Sequence, residues 1–522
     1  MTRRPIVWSI AGTDSGGGAG LAADQRAADA SGVHLCPVVA AVTAQHSRAV
    51  TRIEPLPADL LHAQMAALAQ DMRPAVVKTG LLGGAGQIRE VARWIDRLRV
   101  ERPVALVVDP VLGATTGASF AAADALAAYR EELLPRATLV TPNRREALAL
   151  LGRQEQEADA EAVPGLAEAL RRLGPQAVCI TGGDSPGGLA LDWIATPQAQ
   201  GWLALPRIDT PHHHGTGCTF ATSGAAALAL GFVVADALVL AKMATAHALR
   251  SSYAAGTGAG PVHALPGYAQ DPALMPLMSW GEAPRFPELA PTALTHPRID
   301  LYAIVDDIER MQAVLACGIR TVQLRIKTPT QPDAAWHVRL RQAVQEAVDA
   351  CRKTGAELFV NDHWQLAREL GAPGVHLGQE DLLALGDAGR ETLAASGLAL
   401  GISSHSLWEL ARARTLLPRY IACGPVWPTL TKAMPWRAQG LDNLAWWQRM
   451  AGGPVVAIGG ILEPGQVSDA ARCGADGVCL VRALGEQPAQ RVPVMRDALS
   501  RGRAEPAVPV PSLPHPTLDN GL

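Results

Sequence analysis

Two sets of residues have the types and spacing to do chemistry. The first is His214-Gly215-Thr216-Gly217-Cys218, which follows the strand-like run Gly201 to Ile208 and precedes a long apolar helical stretch. The amides of Gly215, Thr216 and Gly217 are therefore predicted to open a helix. Unpaired N–H groups and the positive end of the helix dipole make such a terminus an anion hole, and glycine lets a phosphate approach the backbone. Cys218, at the same terminus, is expected to have a depressed pKa and to take a proton from a substrate hydroxyl. An ordinary glycine-rich turn is the alternative for this segment taken alone.

The second set lies in the C-terminal half. Gln323-Leu324-Arg325-Ile326-Lys327 alternates so that Gln323, Arg325 and Lys327 share one face of a strand that otherwise buries Leu and Ile. Asn361-Asp362 and Gln379-Glu380-Asp381 close the next two apolar runs. Carboxylates at Asp362 and Asp381 beside cations at Arg325 and Lys327 suggest magnesium with a polyphosphate. A metal site alone does not need Lys327, and a phosphate site alone does not need both aspartates. An internal salt-bridge network is the competing reading.

Elements of two kinds must position these groups. Eight strand-like runs, Tyr302–Asp306, Thr321–Lys327, Glu357–Asp362, Gly374–Gln379, Leu398–Ser404, Tyr420–Thr429, Val455–Gly460 and Gly477–Ala483, alternate with helical stretches, and at least seven end in a residue suited to binding phosphate, magnesium or a polar ring. That pattern predicts a (β/α)8 barrel with its site at the carboxyl ends of the strands. From Ile6 to about Gly267 strands such as Val104–Val111, Leu139–Thr141 and Ala177–Thr181 alternate with helices, which predicts a three-layer α/β/α domain. A length of 522 residues suits two α/β domains. The expected division is 1–267 for the first domain, a Pro-rich linker at 268–297, the barrel at 298–502 and a disordered Pro-rich tail at 503–522.

Bulk composition narrows the function classes. With 48% hydrophobic and 18% charged residues the chain has ample material for cores, and a net charge of -3 supplies no basic face for nucleic acid. The eight cysteines show no CxxC pair or zinc spacing, so reduced, mostly buried thiols are expected. The apolar run Ala225–Ala241 is interrupted by Gly231 and Asp236 and reads as a buried helix, not a membrane span. After Arg3 and Arg4 the apolar stretch runs into Gly12-Thr13-Asp14 without a cleavage site, from which a cytoplasmic location is expected.

More residues of the first domain carry a resemblance. Ala11-Gly12-Thr13-Asp14-Ser15-Gly16-Gly17-Gly18-Ala19-Gly20 with Asp24, then Val42-Thr43-Ala44-Gln45, Thr141-Pro142-Asn143-Arg144-Arg145-Glu146 and the GTGC segment occur in order. Together they resemble the ribokinase superfamily, and within it the hydroxymethylpyrimidine and phosphomethylpyrimidine kinases, which have GTGC where sugar kinases have GTGD. The resemblance implies that Asp24 and Gln45 contact the aminopyrimidine, that Asn143 and Glu146 organise magnesium and phosphates, and that Thr181-Gly182-Gly183-Asp184 lies on the ATP side. It also implies a homodimer. A pyridoxal or sugar kinase is the rival, against which Cys218 and Gln45 weigh. Gly16 and Leu81 replace residues found in some relatives, and the His212-His213-His214 run reads as a loop rim.

In the barrel, QLRIK, ND, VHLGQED, GIS, PTLTK followed by MPW and AQG, and AIGGI resemble thiamine-phosphate synthases over the whole domain. This implies magnesium on Asp362 and Asp381, with Gln323, Arg325, Lys327, Asn361, Ser403 and Lys432 gripping a pyrimidine diphosphate. Thr429, Thr431, Gly460, Val481 and Arg482 would receive thiazole phosphate, Arg482 standing where relatives often have Ser. The joint expectation is an ATP-dependent kinase whose diphosphate product feeds the barrel. The alternatives are a thiazole tautomerase-like isomerase, which predicts loss of the magnesium and diphosphate residues, and a non-catalytic ligand-sensing barrel.

Overall fold

Short apolar runs buried on both faces dictate the first sheet. The computed structural model describes residues 3–113, 122–153, 162–183, 187–288, 298–429 and 435–521; Asp184, Thr431 and Lys432 lie outside these. Strands β1 (Ile6–Gly12), β2 (His34–His46), β3 (Ala49–Pro55), β4 (Val76–Thr79), β5 (Ala105–Val108), β6 (Leu139–Val140), β7 (Ala177–Thr181), β8 (Leu189–Ala195), β9 (Gln200–Pro206) and β10 (Leu277–Met278) form one sheet. Its order is β10-β9-β8-β7-β6-β5-β4-β1-β2-β3. The middle strands pair in parallel, and β4 (VVKT) and β5 (ALVV) are buried at every residue, as a parallel sheet covered on both faces requires. Strand β1 lies between β2 and β4, so the chain turns to one side and then to the other of it. Such a switch point opens a crevice beyond the carboxyl ends of the strands.

The run expected as one buried helix is two, Thr216–Ala229 and Val234–Arg250. Gly231, at φ 96, adopts a left-handed turn that a helix cannot continue through. Among the described residues no helix is long and apolar enough to cross a membrane.

In the second half β11 (Asp300–Val305), β12 (Thr321–Leu324), β13 (Glu357–Asn361), β14 (Gly374–Leu377), β15 (Ala399–Ser404), β16 (Tyr420–Cys423), β17 (Val455–Ala457) and β18 (Gly477–Leu480) close into an eight-stranded barrel. Every pairing is parallel, including the closing one between β11 and β18. Most strands stop short of the sequence runs. Strand β12 ends at Leu324; the Arg325 amide still donates to the Val305 carbonyl at 2.8 Å, while Lys327 lies beyond the ladder and is exposed.

Two boundaries differ from expectation. The chain forms one unit from Met1–Arg285 with Leu518–Leu522 and another from Phe286–Thr517. The expected linker begins as part of the first unit, because Leu274, Met275, Leu277 and Met278 between the prolines are buried and β10 pairs with β9. The expected disordered tail is ordered. A helix runs through Pro488–Ala504, the Val508 amide donates to the Arg472 carbonyl, and Thr517 is fully buried. His515 is held by Asn443, whose side chain bonds its backbone, and by the Gln439 carbonyl. Proline fixes an extended backbone without needing a ladder, so proline content alone did not mean disorder.

Candidate active sites

The segment expected to bind an anion opens a helix from a left-handed residue. Gly215, at φ 86, caps the helix Thr216–Ala229, and a Cβ there would collide with the Gly18 carbonyl. Facing it is the loop after β1, folded around one carboxylate: Asp14 accepts the amides of Gly16, Gly18 and Ala19 at 2.7, 2.9 and 2.7 Å. His214 Nε2 lies 2.9 Å from Asp14 Oδ2 and 3.2 Å from Gln45 Nε2. Burial opposes ionisation of Asp14, but the His214 contact and the loop amides outweigh it and hold its pKa below the ordinary value. His214 thus joins the glycine-rich loop, the helix start and Gln45.

Beneath this lies a buried charge cluster. Lys78 of β4 has no exposed surface, and its Nζ is 3.0 Å from both carboxylate oxygens of Asp24 and 3.8 Å from Asp109 Oδ2. Asp24 also accepts from Ser9 Oγ at 2.6 Å and Thr222 Oγ1 at 2.7 Å. Its carboxylate is therefore engaged by protein donors and has no exposed surface with which to make the aminopyrimidine contact expected of it. Burial works against the charge on Lys78, yet Asp24, with help from Cys218 and Asp109, raises its pKa. Asp109 is pushed up to about 6 by burial, Lys78 only partly offsetting this. Asp109 Oδ2, Thr79 Oγ1 and Tyr129 Oη are buried without a hydrogen-bond partner.

That cluster reverses the expectation for Cys218. Cys218 is only half-buried by surface, yet desolvation around its sulfur pushes the thiol up to about 12; Lys78 and the Gly20 amide lower it, while Asp24 and Asp109 raise it. The helix terminus is a local effect, and the desolvation and carboxylates beneath it dominate. The ligand-free chain is thus expected to be alkylated by iodoacetamide at Cys218 about 10²–10³ times more slowly at pH 8 than a free thiol. A rate profile for this residue that titrates below pH 8 would contradict this assignment.

After β6, Asn143 and Glu146 form a reciprocal capping box for the helix Arg144–Leu151, with bonds of 3.0 and 2.9 Å. Gly182 in the turn after β7 donates to Asp192 Oδ1 at 3.0 Å, and Asp192 Oδ2 is 2.6 Å from Lys242 Nζ. A buried ion pair therefore braces this turn.

In the barrel, Gln323 is buried and donates to the Tyr302 hydroxyl at 3.0 Å, so it belongs to the interior. Arg325 is half-buried and Lys327 exposed at the end of β12. Asn361 ends β13, opposite His376 of β14, and Asp362 follows it at φ 64, exposed. Asp381 is also exposed and accepts the Gly378 amide at 3.1 Å. Ser403 Oγ is 3.0 Å from His376 Nε2. Thr429 and Val481 are half-buried, and the Arg482 side chain is exposed. Gly460, at φ 72, packs so closely on Trp427 that a Cβ would come within 2.6 Å of it. Arg325, Asp362 and Asp381 thus follow the ends of three neighbouring strands, β12, β13 and β14, with Lys327 two residues beyond Arg325.

Several residues of these sites were missed in the sequence. Lys78 and Asp109 had a signal: a charge inside or just after a fully apolar parallel strand must find a partner. His376, in GVHLGQ, had the same signal.

The family model described as phosphomethylpyrimidine kinase matches residues 14–263, and the one described as thiamine monophosphate synthase matches residues 295–484. The thiamine biosynthetic bifunctional enzyme of Arabidopsis thaliana, described as chloroplastic, is 34% identical over 92% of this chain and 90% of its own. A chloroplastic probable bifunctional enzyme of Oryza sativa subsp. japonica is 33% identical over 93% of this chain and 86% of its own. The hydroxymethylpyrimidine/phosphomethylpyrimidine kinase of Synechococcus elongatus is 41% identical over 49% of this chain and 96% of its own. With both family matches in order and the bifunctional relatives spanning both, the chain belongs to the family of bifunctional thiamine biosynthetic enzymes, joining a phosphomethylpyrimidine kinase to a thiamine-phosphate synthase.

Proposed function

We propose that the two halves catalyse consecutive reactions. The first unit uses ATP to phosphorylate hydroxymethylpyrimidine and then its monophosphate. The barrel breaks the bond between the pyrimidine methylene carbon and the diphosphate oxygen; diphosphate leaves with the electron pair, and the thiazole nitrogen forms the new C–N bond. No protein nucleophile is required. What supports this reading is that Asp362, Asp381, Arg325, Lys327 and Ser403 all lie at or just after strand ends of a closed parallel barrel, in a chain whose other unit starts a helix from Gly215.

Magnesium fits both halves. Asp362 and Asp381 are a donor set suited to a hard cation that keeps phosphate oxygens among its ligands, and there it would offset charge on the departing diphosphate. Among the described residues no three His, Cys, Asp or Glu gather as a protein-only metal cage. In the kinase half Asp109 Oδ2, buried without a hydrogen-bond partner and 3.8 Å from Lys78 Nζ, is the carboxylate oxygen suited to a cation. Asn143 and Glu146 set the helix that borders the phosphates. Gln45 reads the aminopyrimidine edge, Gly215, Thr216 and Gly217 bind the transferred phosphoryl group, and Cys218, after giving its own proton to solvent, takes the hydroxyl proton as a thiolate. Asn361 and Lys432 grip the pyrimidine diphosphate; Thr429, Thr431, Gly460, Val481 and Arg482 hold thiazole phosphate. A cytoplasmic location, supported by eight free thiols, and a homodimer belong to the same proposal.

Purified chain given hydroxymethylpyrimidine, ATP, magnesium and thiazole phosphate is expected to yield thiamine phosphate and diphosphate in equal amounts. ADP without thiamine phosphate, from folded protein that binds thiazole phosphate, would sink the synthase assignment.

A further inference from the structure

A chain of hydrogen bonds runs through the barrel interior to Ser403. Gln323 Nε2 donates to the Tyr302 hydroxyl at 3.0 Å, and the Tyr302 and Tyr420 hydroxyls are 2.7 Å apart. The Tyr420 hydroxyl is 2.8 Å from His376 Nδ1, and His376 Nε2 is 3.0 Å from Ser403 Oγ. Gln323, Tyr302, Tyr420 and His376 are all buried, and they come from four different strands. Gly401 leaves the space that the Tyr420 ring fills; a Cβ there would strike the ring.

Counting hydrogens gives the chain a direction. A phenol has one hydrogen to donate. Tyr302 accepts from Gln323, and the acceptor that its own hydrogen reaches is the Tyr420 oxygen. Tyr420 then donates to Nδ1 of His376, which leaves the imidazole proton on Nε2, pointing at Ser403 Oγ. The Ser403 hydrogen therefore cannot point back at His376 and is left for a ligand. Turning over the Gln323 amide would reverse every hydrogen and spend the Ser403 proton on His376. A diphosphate, which presents acceptors, favours the first arrangement. Burial, with Arg325 and His405 adding to it, lowers the His376 pKa to about 4, so the ring is neutral near pH 7.

We propose that His376 is a positioning residue of the synthase: held by Tyr420 as its Nε2–H tautomer, it fixes Ser403 as a hydrogen-bond donor to a diphosphate oxygen. This rests on the reading of Ser403 as a diphosphate contact. His376→Gln keeps an amide acceptor and donor and is the conservative variant; His376→Leu keeps neither. In the full chain, His376→Leu is expected to weaken binding of inorganic diphosphate with magnesium, and to lower kcat for condensation, by about tenfold or more. His376→Gln should recover most of both, and neither should shift KM for thiazole phosphate. In a Ser403→Ala background the His376→Leu effect should nearly vanish. Nitrogen NMR of the wild-type chain should show a protonated Nε2 and a bare Nδ1 on His376.

An Nδ1–H tautomer, or a His376→Leu effect that persists in full without the Ser403 hydroxyl, would overturn the proposal. Should the wild-type chain bind diphosphate but form no thiamine phosphate, the proposed function fails while the tautomer and binding measurements still decide the positioning role.

Discussion

Replacing Asp362 by Asn is expected to lower the condensation rate by about 10²-fold or more while phosphorylation of hydroxymethylpyrimidine continues at the wild-type rate. A cation on departing phosphate contributes several kcal/mol of transition-state stabilisation, and about 1.4 kcal/mol is tenfold in rate. Asn is the informative substitution because Asp362 has φ 64, a left-handed backbone that Asn tolerates and Ala does not. Charge is thereby removed without added strain. The side chain is exposed, so the melting temperature should hardly move. Condensation within threefold of wild type at saturating magnesium would remove Asp362 from the metal site, and loss of kinase turnover would refute the division of labour between the halves.

The largest stability effect is expected at Lys78. Lys78→Met leaves Asp24 and Asp109 without their cation in a region where Lys78 and Asp24 have no exposed surface. Breaking a buried pair from one side costs about 3–5 kcal/mol. Urea unfolding followed by kinase activity should show that loss, and adding Asp24→Asn should recover much of it, since Asn still accepts from Ser9 and Thr222. A single Lys78→Met variant as stable as wild type would show that the cluster contributes nothing to folding. Asp109 adds a pH dependence. Its folded pKa, about 6, is raised above the ordinary 3.8, so the folded chain binds that proton more tightly. Its contribution is present in full below about pH 4 and is lost as pH rises through 6, about 3 kcal/mol by linkage. The wild type should lose that stability relative to Asp109→Asn between pH 4 and 7.

The order of the eight barrel strands was legible because alternation and strand-end polar residues repeat at every turn of the fold. Where each strand stops was not, since β12 ends at Leu324 although the apolar and polar alternation continues to Lys327. Asp24 shows the same divide. It shares the buried face of its helix with Leu21, Ala28 and Ser31, at helical spacing, so its burial was readable. Its partner Lys78 is 54 residues away, and nothing local pairs the two. Cys218 was misread for the same reason: the helix terminus is written in GTGC, whereas the carboxylates that raise its pKa come from two other elements. The tail was misread because proline count outweighed Thr517 and His515.

The kinase half is discontinuous along the chain, since Leu518–Leu522 group with Met1–Arg285 and not with the barrel they follow. Asn520 Nδ2 donates to the Leu228 and Phe232 carbonyls around the turn between two kinase helices. Topologically the synthase is an insertion near the end of the kinase. Splitting the gene once, in the stretch before β11, would send those closing residues away with the wrong protein. A fission that kept each unit whole would need a second cut after Thr517, so that Leu518–Leu522 stay with Met1–Arg285.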